Sequence, residues 1–294
     1  MDRWQAMETL VAVVEAGSFS AAARRLGVGQ PAVSKVIAQL EADLGVQLLL
    51  RSSRGLTPTE PGQAYYQGAR HALQLAADAD ASARCANTEF GGRLVVSAPV
   101  TFARLHVVPR LSQFLSQHPQ LQLELVLDDN NIDLLEGGID VALRLGALSD
   151  SDMTARRIGH SPRAVLATPD YLLQHGQPQH PAELSEHAAI IYTRPSKNPM
   201  YVFQSGAVQE SVSLQGRLRC SAAEGVRTAV LAHMGLAVAS EWMFAPELAS
   251  GQVQRVLQDW TLPAVDLWAV FSSGRKASAK ARAFAAFVEA LLAD

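Results

Sequence analysis

The sequence predicts an α/β chain built from a small helical bundle ending in a hairpin, one long helix, and a larger unit of alternating strands and helices. Three observations predict it. Apolar residues recur every three or four positions through the first 44 residues, which is the helical period. An alanine-rich stretch follows Thr59 and runs to about Asn87. Beyond Gly91-Gly92 the pattern changes to short apolar runs alternating with helical segments, the signature of βαβ units and of a mostly parallel sheet covered by helices.

Composition bounds the rest. At about 150 residues per domain, 294 residues suggest two domains. A chain that is 48% hydrophobic and 18% charged buries a sizeable core and is not disordered. Its net charge of −3 argues against a uniformly basic nucleic-acid binder but leaves a local basic patch open. No apolar run approaches the roughly 18 residues of a membrane span. The first apolar run, Leu10 to Val14, is fenced by Glu8 and Glu15 and is too short for a secretory signal. Cys85 and Cys220 stand 135 residues apart without Cys-x-x-Cys spacing, so neither a disulfide framework nor a zinc site is expected. The simplest expectation is a reduced, cytoplasmic protein with no cofactor or metal.

Taken in order, Trp4, Met7, Leu10, Val11 and Val14 form one helix face, closed by Gly17. Ser18 or Ser20 caps a second helix, Ala21 to Leu26. Gly27 and Gly29 punctuate, and Pro31 stands where a first helical turn tolerates proline. Val33, Ile37, Leu40 and Leu44 line the third helix. Val46 to Leu50 then leads to a hairpin tip, Arg51-Ser52-Ser53-Arg54-Gly55. Thr59 is a plausible N-cap for the long helix. There one heptad frame aligns Tyr65, Ala69, Ala72, Ala76, Ala79, Ala83 and Ala86 as a pairing seam, although so alanine-rich a segment fits other frames too.

In the larger unit, strands are expected at Arg93–Ser97, Leu121–Leu127, Ile139–Leu145, Arg163–Ala167, Ala188–Thr193, Val212–Arg219, Leu236–Ala239 and Leu267–Phe271. Helices are expected at Phe102–Gln117, Ile132–Glu136 and, closing the chain, Ala277–Leu292.

Two helices joined by a Gly-containing turn, the second entered through Gln-Pro, make a helix-turn-helix arrangement. Such a unit lays its second helix in the DNA major groove, N-terminal residues toward the bases. Here those residues are Gln30, Pro31, Ala32, Ser34 and Lys35, with Ser20 opening the preceding helix. Gln pairs bidentately with adenine, while Ser and Lys serve bases or phosphate. Arg51 and Arg54 suit the flanking backbone or minor groove. Between Ser18 and Thr59 five basic residues face two acidic ones, a local +3 that leaves −6 on the other 252 residues. A three-helix bundle with surface arginines remains the plain alternative.

The same residues carry a family likeness. Ser18-Phe19-Ser20-Ala21-Ala22-Ala23-Arg24-Arg25-Leu26, Gln30-Pro31-Ala32-Val33-Ser34, Leu40-Glu41 and Leu44-Gly45 resemble the LysR-type transcriptional regulators. So do the wing-like run Arg51 to Glu60 and, in the second half, Asn131 to Gly146. Gly29 departs from the Ser usual before the third helix, and Leu49 from the usual Phe. The resemblance implies a winged helix-turn-helix (residues 1–59), a linker helix that pairs two subunits (60–90), and a two-lobed, periplasmic-binding-protein-like, Rossmann-like effector domain (91–294). Lobe one is expected at 91–161 plus 263–294 and lobe two at 162–262, with crossings near Pro162 and Pro263. Homodimers and tetramers are implied, with double-stranded promoter DNA and a small-molecule effector as partners.

Open parallel sheets bind ligands beyond the carboxyl ends of their strands. Ser97-Ala98-Pro99-Val100-Thr101-Phe102 ends the first such strand just before a helix, where N–H groups and the Ser97 or Thr101 hydroxyls favour an anion. Thr101 is alternatively a plain N-cap. Ser221-Ala222-Ala223-Glu224 has capping-box spacing, and the resemblance turns it toward the cleft. Arg144, followed by Leu145 and Gly146, ends a strand toward the same place; it pairs with an acidic ligand or a neighbouring carboxylate.

Catalytic readings fail. Gly27-Val28-Gly29-Gln30-Pro31-Ala32 matches a dinucleotide fingerprint but follows a helix, not a strand. Ser273-Gly274-Arg275-Lys276 is a lone Ser-x-x-Lys. His175, His180 and His187 lie in a Pro-rich stretch and read as surface histidines, and Cys220 as a packing thiol. The expectation is a regulator without catalytic chemistry. The alternative is a two-lobed solute-binding protein or enzyme whose N-terminal module mediates assembly.

Overall fold

The computed structural model describes residues 2–52, 55–84, 90–130, 134, 137–148, 154–193, 200–272 and 277–293. The expected tip residues Ser53 and Arg54, most of the short helix Ile132–Glu136, the seam residue Ala86, Cys85 and the Ser273–Lys276 motif lie outside them. The chain forms two compact units: residues 1–92 with 120–122 and 133–139, and the remainder.

In the first unit, α1 (Arg3–Ala16), α2 (Phe19–Leu26) and α3 (Gln30–Leu44) follow the expected apolar spacing. Leu10, Val13, Phe19, Ala22, Val33, Ile37 and Leu40 bury together. Each start has a local cause: Asp2 accepts from the Trp4 N–H and Ser18 from the Ala21 N–H. Gly27 ends α2 at φ 68°, a left-handed conformation that a side chain resists. Gly29 precedes α3 with extended backbone and no side-chain cap, so Pro31 in the first turn sets the start instead.

The wing is the antiparallel pair β1 (Leu49–Ser52) and β2 (Gly55–Pro58), with Arg51 opposite Leu56. The Glu41 carboxylate accepts the N–H groups of Leu48 (2.7 Å) and Leu49 (3.1 Å), tying the end of α3 to the wing. Thr59 caps α4 (Glu60–Arg84) as expected, accepting from the Gly62 N–H at 3.0 Å. Tyr65 packs on the bundle core and Ala69 is buried, so the first two seam positions are used inside the chain.

In the second unit, a seven-stranded sheet runs β11 (Ala237–Ser240), β6 (Thr154–Ala167), β13 (Leu262–Phe271), β5 (Val141–Leu145), β3 (Gly92–Ala98), β4 (Leu121–Leu127), with β12 (Gln254–Val256) also on β6. The expectation of a mostly parallel sheet needs correction. β3 and β5 pair parallel, but β13 is antiparallel to both β5 and β6, and β6 to β11 and β12. The physical reason is that β6 and β13 are long strands, 14 and 10 residues, paired antiparallel to each other in the middle of the sheet. Their polar stretch Thr154–His160 shows no apolar run, which hid it from the sequence pattern.

Beyond β11, β7 (Ile190–Tyr192) pairs in parallel with β10 (Leu218–Cys220), and an Ala189–Leu236 bridge continues the parallel run. The expected strand Val212–Arg219 is two strands. Its first part belongs to β9 (Val208–Ser213), hairpinned to β8 (Met200–Ser205), and Leu214-Gln215-Gly216-Arg217 separates it from β10. Helix Phe102–Gln117 is likewise interrupted. It reads as α5 (Val100–Phe102), a π turn (Ala103–Val107), a 3-10 turn (Val108–Arg110) and α6 (Leu111–Gln117); Pro109, lacking an N–H, marks the break.

His175 lies on helix α7 (Pro169–His175), stacked on Tyr171 at 4.4 Å, rather than in a loop. Half-buried His187 meets the Tyr171 hydroxyl at 3.3 Å, and burial lowers its pKa, helped by the charge of His175. Helices α8 (Ala223–Leu231) and α9 (Ala245–Ser250) cover one face of the second half of the sheet, where Val226, Val230, Phe244 and Ala239 pack. Cys220 packs at the margin of this cluster, as expected. Helix α10 (Ala279–Leu291), capped by Ser278, closes the chain.

Candidate functional site

In the first unit the structure gathers the predicted DNA-facing residues at one end of α3. Gln30, Pro31, Ala32 and Lys35 are exposed and Ser34 half-exposed, while Val33 and Ile37 turn inward. Ser20 donates to the Gln30 side-chain oxygen at 3.4 Å, so the start of α2 steadies the first side chain of α3. Arg51 lies on β1, and Arg54 is outside the described residues. Arg25 is tied to Glu15 at 2.6 Å, leaving Arg24 and Lys35 as the exposed cations beside the turn.

In the second unit, β3 ends at Ser97 and Ala98, both buried, and α5 follows with Thr101 and Phe102. Ser97 is 1% and Thr101 3% exposed, yet neither hydroxyl makes a hydrogen bond within the described residues. Buried hydroxyls are normally satisfied, so two in one turn are unusual. Thr101 is not the N-cap of α5: Pro99 holds that position and no side chain caps it. The Val100 N–H expected to meet an anion is already accepted by Asp129 at 3.0 Å. The loop Asp128–Asn130, which the sequence reading passed over, also joins Arg144 to this turn. Asp128 N–H donates to the Ala98 carbonyl (3.1 Å), and Arg144 donates to the Asn130 carbonyl (3.0 Å). Burial lowers the Arg144 pKa, with Asp128 partly compensating. Gly146 turns the chain at φ 91° and donates to the Asp266 carbonyl.

Glu224 does not form the expected capping box, since Ala222 stands at the N-cap of α8 without a side-chain bond. It accepts two bonds from Arg104, at 2.8 and 3.1 Å, and this arginine had no signal in the sequence. Burial alone raises the Glu224 pKa. The Arg104 bond, the Thr101 hydroxyl facing the carboxylate and the charges of Arg104 and Arg227 outweigh it and hold the carboxyl below its ordinary range. Ser221 is exposed and makes no hydrogen bond with this group. Beside the ion pair, Phe102 packs on Trp242 (5.4 Å), and His106 Nε2 meets the Trp242 carbonyl at 2.8 Å. Thus Phe102, Arg104 and His106, just after β3, all hold residues of the α8–α9 half.

The chain matches the family "Bacterial regulatory helix-turn-helix protein, lysR family" over residues 4–63 and "LysR substrate binding domain" over residues 87–293. It belongs to the LysR family of transcriptional regulators. The LysR-type relatives extend along its length. An HTH-type transcriptional regulator of Xanthomonas campestris pv. campestris is 34% identical over 95% of this chain and 82% of its own. HTH-type transcriptional regulator CrgA of Neisseria meningitidis serogroup C is 32% identical over 96% of this chain and 94% of its own. The solved structure of CrgA superposes with a TM-score of 0.64 at 31% identity, covering 99% of both chains. The full-length Vibrio cholerae virulence activator AphB gives 0.60 at 26% identity, over 98% of this chain and 99% of that one.

The chain is therefore a LysR-type, DNA-binding transcriptional regulator with an effector-binding domain of the periplasmic-binding-protein-like class. Its relatives are regulators rather than enzymes, which sets aside the solute-receptor and enzyme alternative. Among the described residues no helix is long and apolar enough to cross a membrane.

Proposed function

We propose that this LysR-type regulator works in the cytoplasm as a homodimer or tetramer, and that a small anionic effector seated between two lobes controls its grip on promoter DNA. Residues 1–59 read DNA through Gln30, Pro31, Ala32, Ser34, Lys35, Arg51 and Arg54, with Ser20 in support. Residues 60–90 pair subunits, along the seam that Ala72 and Ala76 continue. Residues 91–294 sense, with lobe one at 91–161 plus 263–294 and lobe two at 162–262.

The observation that supports effector binding most is the pair of buried, unpartnered hydroxyls on Ser97 and Thr101. Leaving such groups unmet costs about 1–3 kcal/mol each, which a ligand oxygen recovers. Arg144 and the Arg104–Glu224 pair beside them supply charge that an anion reorganises. The ligand changes DNA affinity only through unequal affinity for two lobe arrangements.

Calorimetry of the whole chain against a panel of small carboxylates tests the reading. A binder is expected whose affinity falls at least about tenfold in Thr101→Val, since the group lost is a charge-assisted partner. If only cationic or apolar compounds bind, or if Thr101→Val leaves carboxylate affinity intact, the anionic site is elsewhere.

A further inference from the structure

Beside the long strands β6 and β13, around Pro162 and Ala264, a cavity opens. Its volume is about 430 Å³, within the range of roughly 300–1,000 Å³ typical of small-molecule sites. His160, Arg163, Phe203, Arg255, Trp260 and Ala264 line it, and it shares no residue with the Ser97–Phe102 turn, Arg144 or Glu224. The walls are largely apolar and the charges unequal. Arg255 is neutralised by Glu241, held at 2.8 Å between Nη2 and Oε2. Half-buried Arg163 makes no ion pair with a carboxylate among the described residues; the titratable group beside it is the buried Tyr201 phenol. Burial lowers the Arg163 pKa and raises that of Tyr201, so the phenol stays neutral and gives no counter-charge.

A partly buried guanidinium without a carboxylate is costly to keep, and arginine is suited to holding a carboxylate by two parallel bonds. The rim adds a second sign. Leu257, which lines the cavity and is buried, has φ 55°, a left-handed conformation that a branched apolar residue rarely adopts. Strain of this kind concentrates at ligand-binding surfaces, where surrounding structure holds it in place.

We propose that this cavity is a second ligand site, taking a small organic monoanion with an aromatic or branched apolar body. Its carboxylate lies on Arg163 and its body against Phe203, Val256 and Trp260. One charge is specified because one cation is unmatched, and Glu241 repels a second. Pro162 and Ala264 place the occupant against both long strands.

Calorimetry of the full chain with 3-phenylpropanoate and its neutral amide provides the test. The acid should bind at least about tenfold tighter than the amide, matching a charged hydrogen-bonded pair. That preference should vanish in Arg163→Gln and persist in Thr101→Val. Ala264→Trp, at an exposed lining position, keeps Arg163 and narrows the mouth, so acid and amide should weaken together. Hydrogen exchange should slow at residues 160–164 and 255–264 when the acid is bound. The proposal is overturned if the acid shows no saturable binding at millimolar concentration, or if its preference survives Arg163→Gln in a cooperatively folded variant. Loss in Thr101→Val alone also overturns it, while leaving the anionic cleft standing.

Discussion

Replacing Gly62 by alanine should loosen the junction between the wing and the linker helix. A Cβ at this position falls 1.9 Å from the Leu48 carbonyl oxygen and 2.7 Å from its carbon. The same oxygen accepts the Thr59 N–H at 2.9 Å, so it cannot withdraw without breaking the bond that starts α4. The backbone must therefore move by about 1 Å against its own hydrogen bond. Overpacking of this kind costs about 1–3 kcal/mol. Against backbone the upper figure of about 3 kcal/mol applies, and alanine recovers about 1 kcal/mol of helix propensity, so a net loss of about 2 kcal/mol is expected. Gly68 supplies the control on the same helix, since a Cβ there meets nothing within 4 Å. Gly68→Ala should stabilise by about 0.5–1 kcal/mol. Calorimetric melting of the whole chain reads both. At roughly 5 °C per kcal/mol for a unit of this size, Gly62→Ala should lower the small unit's transition by roughly 10 °C and Gly68→Ala should raise it. Gly62→Ala melting at or above the parent would refute the close-approach reasoning.

Other predictions bear on the sensing unit. Arg227 is 6% and Glu247 11% exposed, and they pair through bonds of 2.6 and 2.9 Å, so Glu247→Gln leaves the buried guanidinium with Glu224, at 3.7 Å, as its remaining carboxylate among the described residues. A loss of about 3–5 kcal/mol is expected in denaturant unfolding, and a loss below about 1 kcal/mol would place that charge in water. Arg104→Met, by contrast, removes a half-exposed pair and should change stability by less than about 1 kcal/mol in the same experiment. Burial lowers the His106 pKa, with the Trp242 carbonyl opposing and Arg110 assisting. The folded state thus binds fewer protons than the unfolded chain. Its contribution is present above the ordinary histidine value near 6.5 and is lost as pH falls through the lowered folded value. Melting temperature should therefore fall more steeply on acidification below about 6.5 in the parent than in His106→Gln, and parallel curves would contradict this.

The bundle was legible because its causes are local. Ser18, Gly27 and Pro31 act within a few residues of themselves, and the spacing of Val33, Ile37 and Leu40 states the buried face directly. The order of the large sheet was not, because β6 meets β13 across about a hundred residues and its first half carries no apolar run. The candidate effector turn was half legible. Ser97, Thr101 and Arg144 carry their own chemistry, but Asp129, Arg104 and Trp242 matter only for where the fold brings them. Glu224 shows the limit most clearly. A cap and an ion pair draw on the same carboxylate, and Arg104, 120 residues away, decided between them. Gly62 reads as an ordinary helix residue until the Leu48 carbonyl is set beside it.

The central claim is that the exposed end of α3 and the wing hold DNA. Fluorescence anisotropy on the DNA upstream of the chain's own gene, repeated across salt concentrations, tests it most directly. The combined variant Lys35→Ala and Arg54→Ala should bind more weakly and flatten the salt dependence by about one unit for each phosphate contact removed. Unchanged affinity and an unchanged salt slope would contradict the assignment of these residues to the DNA.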